Sequence, residues 1–348
     1  MDLRRLFNQR TLNPAYAWLC AQRAHFPPNS DVWHLRFHWE RIAPDLLARL
    51  RQGRYRFSPL VRITKTDGST LHLWSAQDAL VLKMLAMGIA PSLGCSPHCT
   101  HLKGHGGLKQ TIARVQQRLP RYRFVIRTDV QGFYEHIDQY QLLDQLAEHF
   151  RERTLLNYLW QVIRRTVCHG GHYREIQQGI SRGCPLSPLL GALSLRGLEK
   201  ELGGRPGGAG VFYVRYMDDV LILATTRWKL RHAIRTLHAH FNALKLGMHP
   251  DKTSIGRIEK GFDFLGYHFS RGPLSLAKQT VRKHVERVLR LYEQQATKKA
   301  TPSEVALVLG AHVKRWRRWC RAGLGQVTTA FSPYGAYRLG PPDPDRAE

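Results

Sequence analysis

Acidic residues are scarce. Against 53 lysines and arginines the 348-residue chain sets 26 aspartates and glutamates, a formal net charge of +27 with histidines neutral. Self-repulsion on that scale opposes compaction unless a polyanion offsets it, so nucleic acid is the expected partner, ahead of an anionic membrane surface or a merely soluble basic protein. Long apolar runs are missing as well. No stretch of 18 or more apolar residues occurs and the first ten residues lack the apolar core of a signal peptide, so the expectation is no membrane partner and a cytoplasmic protein. The six cysteines, Cys20, Cys95, Cys99, Cys168, Cys184 and Cys320, are scattered and include no CxxC pair. That excludes a disulfide framework and suits a reducing compartment. Cys95, His98, Cys99, His101 and His105 crowd one segment, but their irregular spacing reads as a Cys- and His-rich loop rather than as a zinc site. Internal repeats and low-complexity tracts are absent too.

What is present is enough apolar residue, 43% spread along the chain, to fold at least one substantial core. Trp33, Phe37, Ile42, Leu46, Leu47 and Leu50 recur at roughly helical spacing, with Pro44 expected to break the segment in two. Tyr55 to Asp67 mixes β-branched and aromatic residues and ends on Thr66-Asp67-Gly68, which predicts a strand and turn. Helices are expected over 76–90, 139–150 and 154–167, and a strand over 121–130 with an aspartate near its end. Gly207 and Gly208 mark a loop. After it, residues 211–214 and 220–224 read as two strands around a tight turn that carries Asp218 and Asp219. Beyond about residue 275 the pattern changes to long basic helices. One is expected to place Val281, Val285, Val288, Leu289 and Tyr292 on a single face. The next opens on the capping box Thr301-Pro302-Ser303-Glu304 and is expected to turn Trp316 and Trp319 inward, with Lys314, Arg315, Arg317, Arg318 and Arg321 outward.

Asp129 follows the apolar run Phe124-Val125-Ile126, and Asp218-Asp219 sit between two further apolar runs. Adjacent strands would bring the three carboxylates together. Taken alone, an Asp-Asp pair in a turn is more often just a solvated turn. Three aspartates converging on one point are instead what two divalent cations require, since magnesium prefers carboxylate oxygens and keeps other positions for water and phosphate.

The order of motifs decides between these readings. Tyr216-Met217-Asp218-Asp219 resembles the catalytic tetrapeptide of the reverse transcriptases, especially those of bacterial group II introns and their retron-like and phage-defence relatives. Asp129-Val-Gln-Gly-Phe-Tyr134 resembles the motif of the first aspartate, and Gly179-Ile-Ser-Arg-Gly-Cys-Pro-Leu-Ser-Pro188 the template- and nucleotide-contacting motif. Leu246 to Thr253 and Gly261 to Tyr267 resemble the next palm motif and the primer grip. The resemblance spans roughly residues 50–270. It implies an α+β right-hand polymerase with fingers, a palm of antiparallel sheet with helices, and an α-helical thumb. The corresponding boundaries are an N-terminal helical extension over 1–50, fingers and palm over 51–272, a basic thumb over 273–335 and a tail over 336–348.

The same resemblance implies an RNA-directed DNA polymerase, a nucleotidyltransferase that extends a DNA or RNA primer on an RNA template with deoxyribonucleoside triphosphates. The template is expected to be a dedicated non-coding or intron RNA, and the role a domesticated one, retron-like or in antiviral defence, in the bacterial cytoplasm. A catalytically silent RNA-binding protein of the same fold is the alternative. By resemblance Asp129, the Val130 carbonyl, Asp218 and Asp219 hold two Mg2+ ions, which Mn2+ can replace. Tyr134 excludes a ribose 2′-hydroxyl, Lys65 contacts the triphosphate, Lys252 protonates pyrophosphate, and Gln131, Gly132, Phe133 and Arg182 complete the nucleotide site. Two departures stand out: Arg182 replaces the usual glutamine before the motif glycine, and Leu71 and His72 stand where an arginine normally follows the Lys65 motif.

Overall fold

A computed structural model describes residues 2–64, 68, 70–203 and 210–324. Lys65, Thr66 and Asp67, Gly207 and Gly208, and everything from residue 325, including the rest of the expected thumb and the tail, lie outside the described residues. The chain divides into two compact units, residues 1–107 with 118–258, and residues 108–117 with 259–348.

The first unit opens with helices that pack around Ala76–Ile89, a helix whose Leu80, Val81, Leu82, Met84 and Leu85 are fully buried. Pro44 does not break the chain. A single helix, Trp39–Arg51, runs through it, and the interruption falls at His38, between that helix and Asp31–Phe37. A proline inside a helix costs about 3 kcal/mol. Burying Leu46, Leu47 and Leu50 returns roughly 1.5–3 kcal/mol each, which outweighs it. The expected helix over 154–167 is shorter, Arg153–Ile163. The β-branched Thr166 and Val167 begin a strand instead, where a side chain branched at Cβ packs without the χ1 restriction of a helix.

Two four-stranded sheets complete the unit. The strands are β1 (Leu60–Thr64), β2 (Thr70–Leu73), β3 (Phe124–Asp129), β4 (Thr166–His169), β5 (His172–Glu175), β6 (Val211–Tyr216), β7 (Asp219–Ala224) and β8 (Ser254–Arg257). One sheet has the order β2-β1-β4-β5, with β1 and β4 parallel. The other, β6-β7-β3-β8, is antiparallel throughout. Its inner strand β7 buries Val220 to Ala224 without alternation, and the helix Arg227–Ala243 covers one face of the sheet through Leu230, Ala233, Leu237 and Phe241. Those residues are spaced to share one helical face.

In the second unit β9 (Phe262–Phe264), β10 (Tyr267–Phe269) and β11 (Ser275–Leu276) form a small sheet followed by the helices Lys278–Thr297 and Pro302–Leu324. The capping box is present, since the Thr301 amide donates to Glu304 at 2.8 Å and the Glu304 amide to Thr301 Oγ1 at 3.4 Å. Trp316 stacks on His284 at 3.8 Å and Trp319 on Tyr267 at 5.0 Å, while Lys314, Arg315, Arg317, Arg318 and Arg321 are exposed. Val281, Val285, Val288, Leu289 and Tyr292 fall on one helix, Lys278–Thr297, at spacings that share a face, but Leu289 and Tyr292 are more than half exposed and the residue buried there is His284. Among the described residues no helix is long and apolar enough to cross a membrane.

Candidate active site

The sheet register brings the carboxylates together. Asp129, last residue of β3, pairs with Asp219, first residue of β7, and Asp219 also faces Tyr216 across a two-residue turn made by Met217 and Asp218. Ligand oxygens of Asp129, Asp218 and Asp219 all lie within 4.8 Å of one another, and among the described residues no other His, Cys, Asp or Glu group is so placed. Burial drives the Asp219 carboxyl up to about 7, and the neighbouring Asp218 and Asp129 carboxylates push the same way. Asp218 is raised too, chiefly by burial. Three oxygen donors that resist carrying three negative charges suit hard divalent cations such as Mg2+ or Mn2+.

The turn is strained and then braced. Met217 has φ +57°, a conformation a residue with a side chain adopts only when its surroundings impose it. The Met217 amide donates to His101 Nδ1 at 3.0 Å, and its carbonyl accepts from Arg215 at 2.8 Å. Arg215 is fully buried. It donates to Glu199, also buried, with Nε at 2.9 Å, and its Nη2 reaches the Ala192 carbonyl at 3.2 Å. His101 is held neutral, its pKa brought down to about 4 mainly by burial. Because Nδ1 accepts from Met217, the proton sits on Nε2, which donates to the Pro188 carbonyl at 3.0 Å. His101 thus ties the aspartate turn to the start of the helix Ser187–Ser194. Both ring nitrogens are committed, and burial pushes the Cys99 thiol up to about 12, so the Cys- and His-rich segment serves as a brace.

Other residues singled out in the sequence gather nearby. Val130 bridges to Met248, but the hydrogen bonds of that bridge run from the Gln131 amide to Gly247 and from the His249 amide to Asp129, and so spare the Val130 carbonyl. Gln131 is exposed, Gly132 takes φ +55° ahead of a short helix, and Phe133 is buried in the core. Tyr134 lies beside the aspartates, its hydroxyl raised to about 12 by burial and then by Asp218. Gly179 approaches the same loop so closely that a Cβ there would stand 2.5 Å from the Tyr134 and Glu135 carbonyls, and the Ile180 amide donates to Tyr134 at 2.7 Å. Lys252 donates to Asp129 Oδ2 at 2.8 Å, a bond that raises its own pKa. Arg182 projects into solvent 3.3 Å from Glu135.

Arg215 and Glu199 escaped sequence reasoning, and His101, read as part of a Cys- and His-rich loop, was not linked to the aspartate turn it braces. Arg215 immediately precedes Tyr216, and a charged residue inside an otherwise apolar strand was the available signal.

Residues 77–269 match the reverse transcriptase (RNA-dependent DNA polymerase) family. Protein YkfC of Escherichia coli (strain K12) is 24% identical over 264 residues, covering 64% of this chain and 69% of that protein. The structure resembles apo telomerase from Candida tropicalis truncated from its C-terminal domain, with a TM-score of 0.51 at 11% identity over 69% of this chain. The chain spans 60% of that telomerase chain. The likeness is one of fold: a mixed helix-and-sheet, right-hand polymerase architecture.

Proposed function

Because the chain belongs to the reverse transcriptase family, we propose that it is an RNA-directed DNA polymerase that extends a DNA or RNA primer on an RNA template. The observation that carries this reading is the convergence of Asp129, Asp218 and Asp219 within 4.8 Å at the ends of the two inner strands of an antiparallel sheet. Asp129, Asp218, Asp219 and the Val130 carbonyl would hold two Mg2+ ions, with Mn2+ able to replace them. When bound, the ions lower the pKa of the primer 3′-hydroxyl and stabilise charge on the leaving pyrophosphate. The chain's own residues do the rest. Tyr134 lies under the sugar of the incoming nucleotide and rejects a 2′-hydroxyl. Lys252, bonded to Asp129 at 2.8 Å, stands ready to donate a proton to pyrophosphate. Lys65 and Arg182 contact the nucleotide, together with the loop Gln131, Gly132 and Phe133, in which buried Phe133 serves as support.

Under this reading residues 51–272 are fingers and palm and the basic helices from 273 form the thumb. The same reading includes a domesticated role, retron-like or in antiviral defence, in the bacterial cytoplasm with a dedicated RNA as template. Primer extension on an RNA template with deoxyribonucleotides and Mg2+ tests the activity. Product that disappears with EDTA is expected. Tight RNA binding without extension by the folded protein would instead establish a silent RNA-binding protein. Sequencing RNA and cDNA that copurify with the chain identifies the template.

A further inference from the structure

At one end of the β2-β1-β4-β5 sheet lies a cavity of about 500 Å³ lined by Arg56, Phe57, Trp160, Arg164, Arg165 and Glu175, with Trp74 and Thr166 among its other walls. None of the aspartates of the candidate active site borders it. The volume falls within the range of small-molecule sites, roughly 300–1,000 Å³. Three arginines and one carboxylate line it, and that carboxylate, Glu175, is already paired with Arg164 at 3.4 Å. Arg56 and Arg165 have no carboxylate partner there, and Arg56 Nη1 donates to the Gly53 and Tyr55 carbonyls at 3.1 and 2.9 Å.

Arg165 is 92% buried, the complement of its 8% exposure. Its Nη1 donates to the Ile163 carbonyl at 3.2 Å and the Gly179 carbonyl at 2.8 Å. Capping the last turn of the helix Arg153–Ile163 accounts for that nitrogen. It does not account for the rest of the group: Nε is buried without a hydrogen-bond partner among the described residues, on a side chain that lines the cavity. Burial without an anion brings the Arg165 pKa down to about 10. A guanidinium in that state is costly unless something negative enters. The aromatic walls narrow the choice. Phe57 and Trp160 are partly buried, and Trp160 already carries Arg164 over its ring at 5.8 Å. Apolar ring surface beside guanidinium groups suits a heterocyclic base carrying a phosphate, with the base stacked and the phosphate gripped.

We infer that this cavity is a second nucleotide-binding site, outside the aspartate centre, which takes the phosphate of a nucleotide on Arg56 and Arg165 and its base against Phe57 and Trp160, with adenosine derivatives as probes. The nucleotide comes either free or as an unpaired residue of an RNA strand. The inference stands whether or not the chain polymerises DNA. Photolabelling separates the sources: azido-adenosine monophosphate in one arm, single-stranded oligoadenylate carrying the same azido-adenosine in the other, with adducts mapped by mass spectrometry. Performed in full-length Asp219→Ala protein, the experiment needs no catalysis. Adducts on the peptides containing Arg56 to Pro59 or Trp160 to Thr166 are expected, the free monophosphate alone sufficing if the ligand is a free nucleotide and only the oligomer labelling if it is RNA. Arg56→Ala, at an exposed position, should lower that labelling about tenfold, the worth of one charge-assisted contact. Arg165→Gln should do the same where it folds. No adduct at the cavity in either arm, or labelling unchanged by Arg56→Ala, overturns the inference.

Discussion

The carboxyl of Asp219 shows how a single residue sets conditions for the site. Its pKa, about 7 against an ordinary 3.8, is raised by burial and then by Asp218 and Asp129. An acid whose folded value exceeds its unfolded one penalises the fold once ionised, so the metal-free protein should lose stability as pH climbs from about 4 to about 7. A divalent ion needs the ionised form and removes the penalty. The rise in Tm caused by Mg2+ should therefore be small near pH 5 and largest above about pH 7, and Asp219→Asn should flatten the dependence; thermal unfolding with and without Mg2+ across that range measures it. Asp219→Ala should cut primer extension by about two orders of magnitude or more while the protein stays folded. Tyr134→Ala should instead raise ribonucleotide use relative to deoxyribonucleotide use, measured as the ratio of kcat/KM for the matched pair. An unchanged ratio would make Tyr134 a core aromatic.

At the scale of elements, the β6–β7 hairpin was legible because apolar runs flank an Asp-Asp turn, and the sheet register then put Asp129 opposite Asp219. The helix over Pro44 was not, because local proline chemistry says break while the burial of Leu46, Leu47 and Leu50 says continue, and tertiary packing is invisible along a sequence. Thr166 and Val167 misled in the opposite sense, extending a helical period into what β1 recruits as a parallel neighbour. The brace on the turn was illegible for the same reason. His101 lies 116 positions from Met217 and Glu199 lies 16 from Arg215, and no local pattern joins such pairs. The hairpin tip nonetheless depends on them. His101→Ala leaves the Met217 amide without its acceptor, which costs roughly 1–3 kcal/mol at a residue already strained at φ +57°. Extension should slow about tenfold in kcat, with much less change in KM, since the turn rather than a nucleotide contact is disturbed. His101→Asn, whose side-chain carbonyl can accept from the Met217 amide, should recover part of the rate. Equal losses in both variants would mean that the imidazole supports folding alone.

For the whole molecule the governing quantity is the net charge of +27. If RNA is the partner, its phosphates release counterions when lysines and arginines replace them, and affinity falls linearly with salt on logarithmic axes, by about 0.7 in slope per phosphate for a single strand and 0.9 for a duplex. An interface of roughly six to ten contacts should lose about three to five orders of magnitude in affinity between low and physiological salt. Where those contacts lie can be read from the same slope. On the helix Pro302–Leu324, Arg318 and Arg321 are exposed while Trp316 and Trp319 face inward, so replacing both arginines by alanine removes charge without touching the packed side. If that helix grips the template–primer, the double variant should lower the slope by about 1.4–1.8 and weaken binding to all sequences alike, with Tm unchanged. A slope equal to that of the unaltered chain would move the phosphate contacts off this helix. The excess charge would then act through the first unit, where the guanidinium groups of Arg56 and Arg165 line their own cavity.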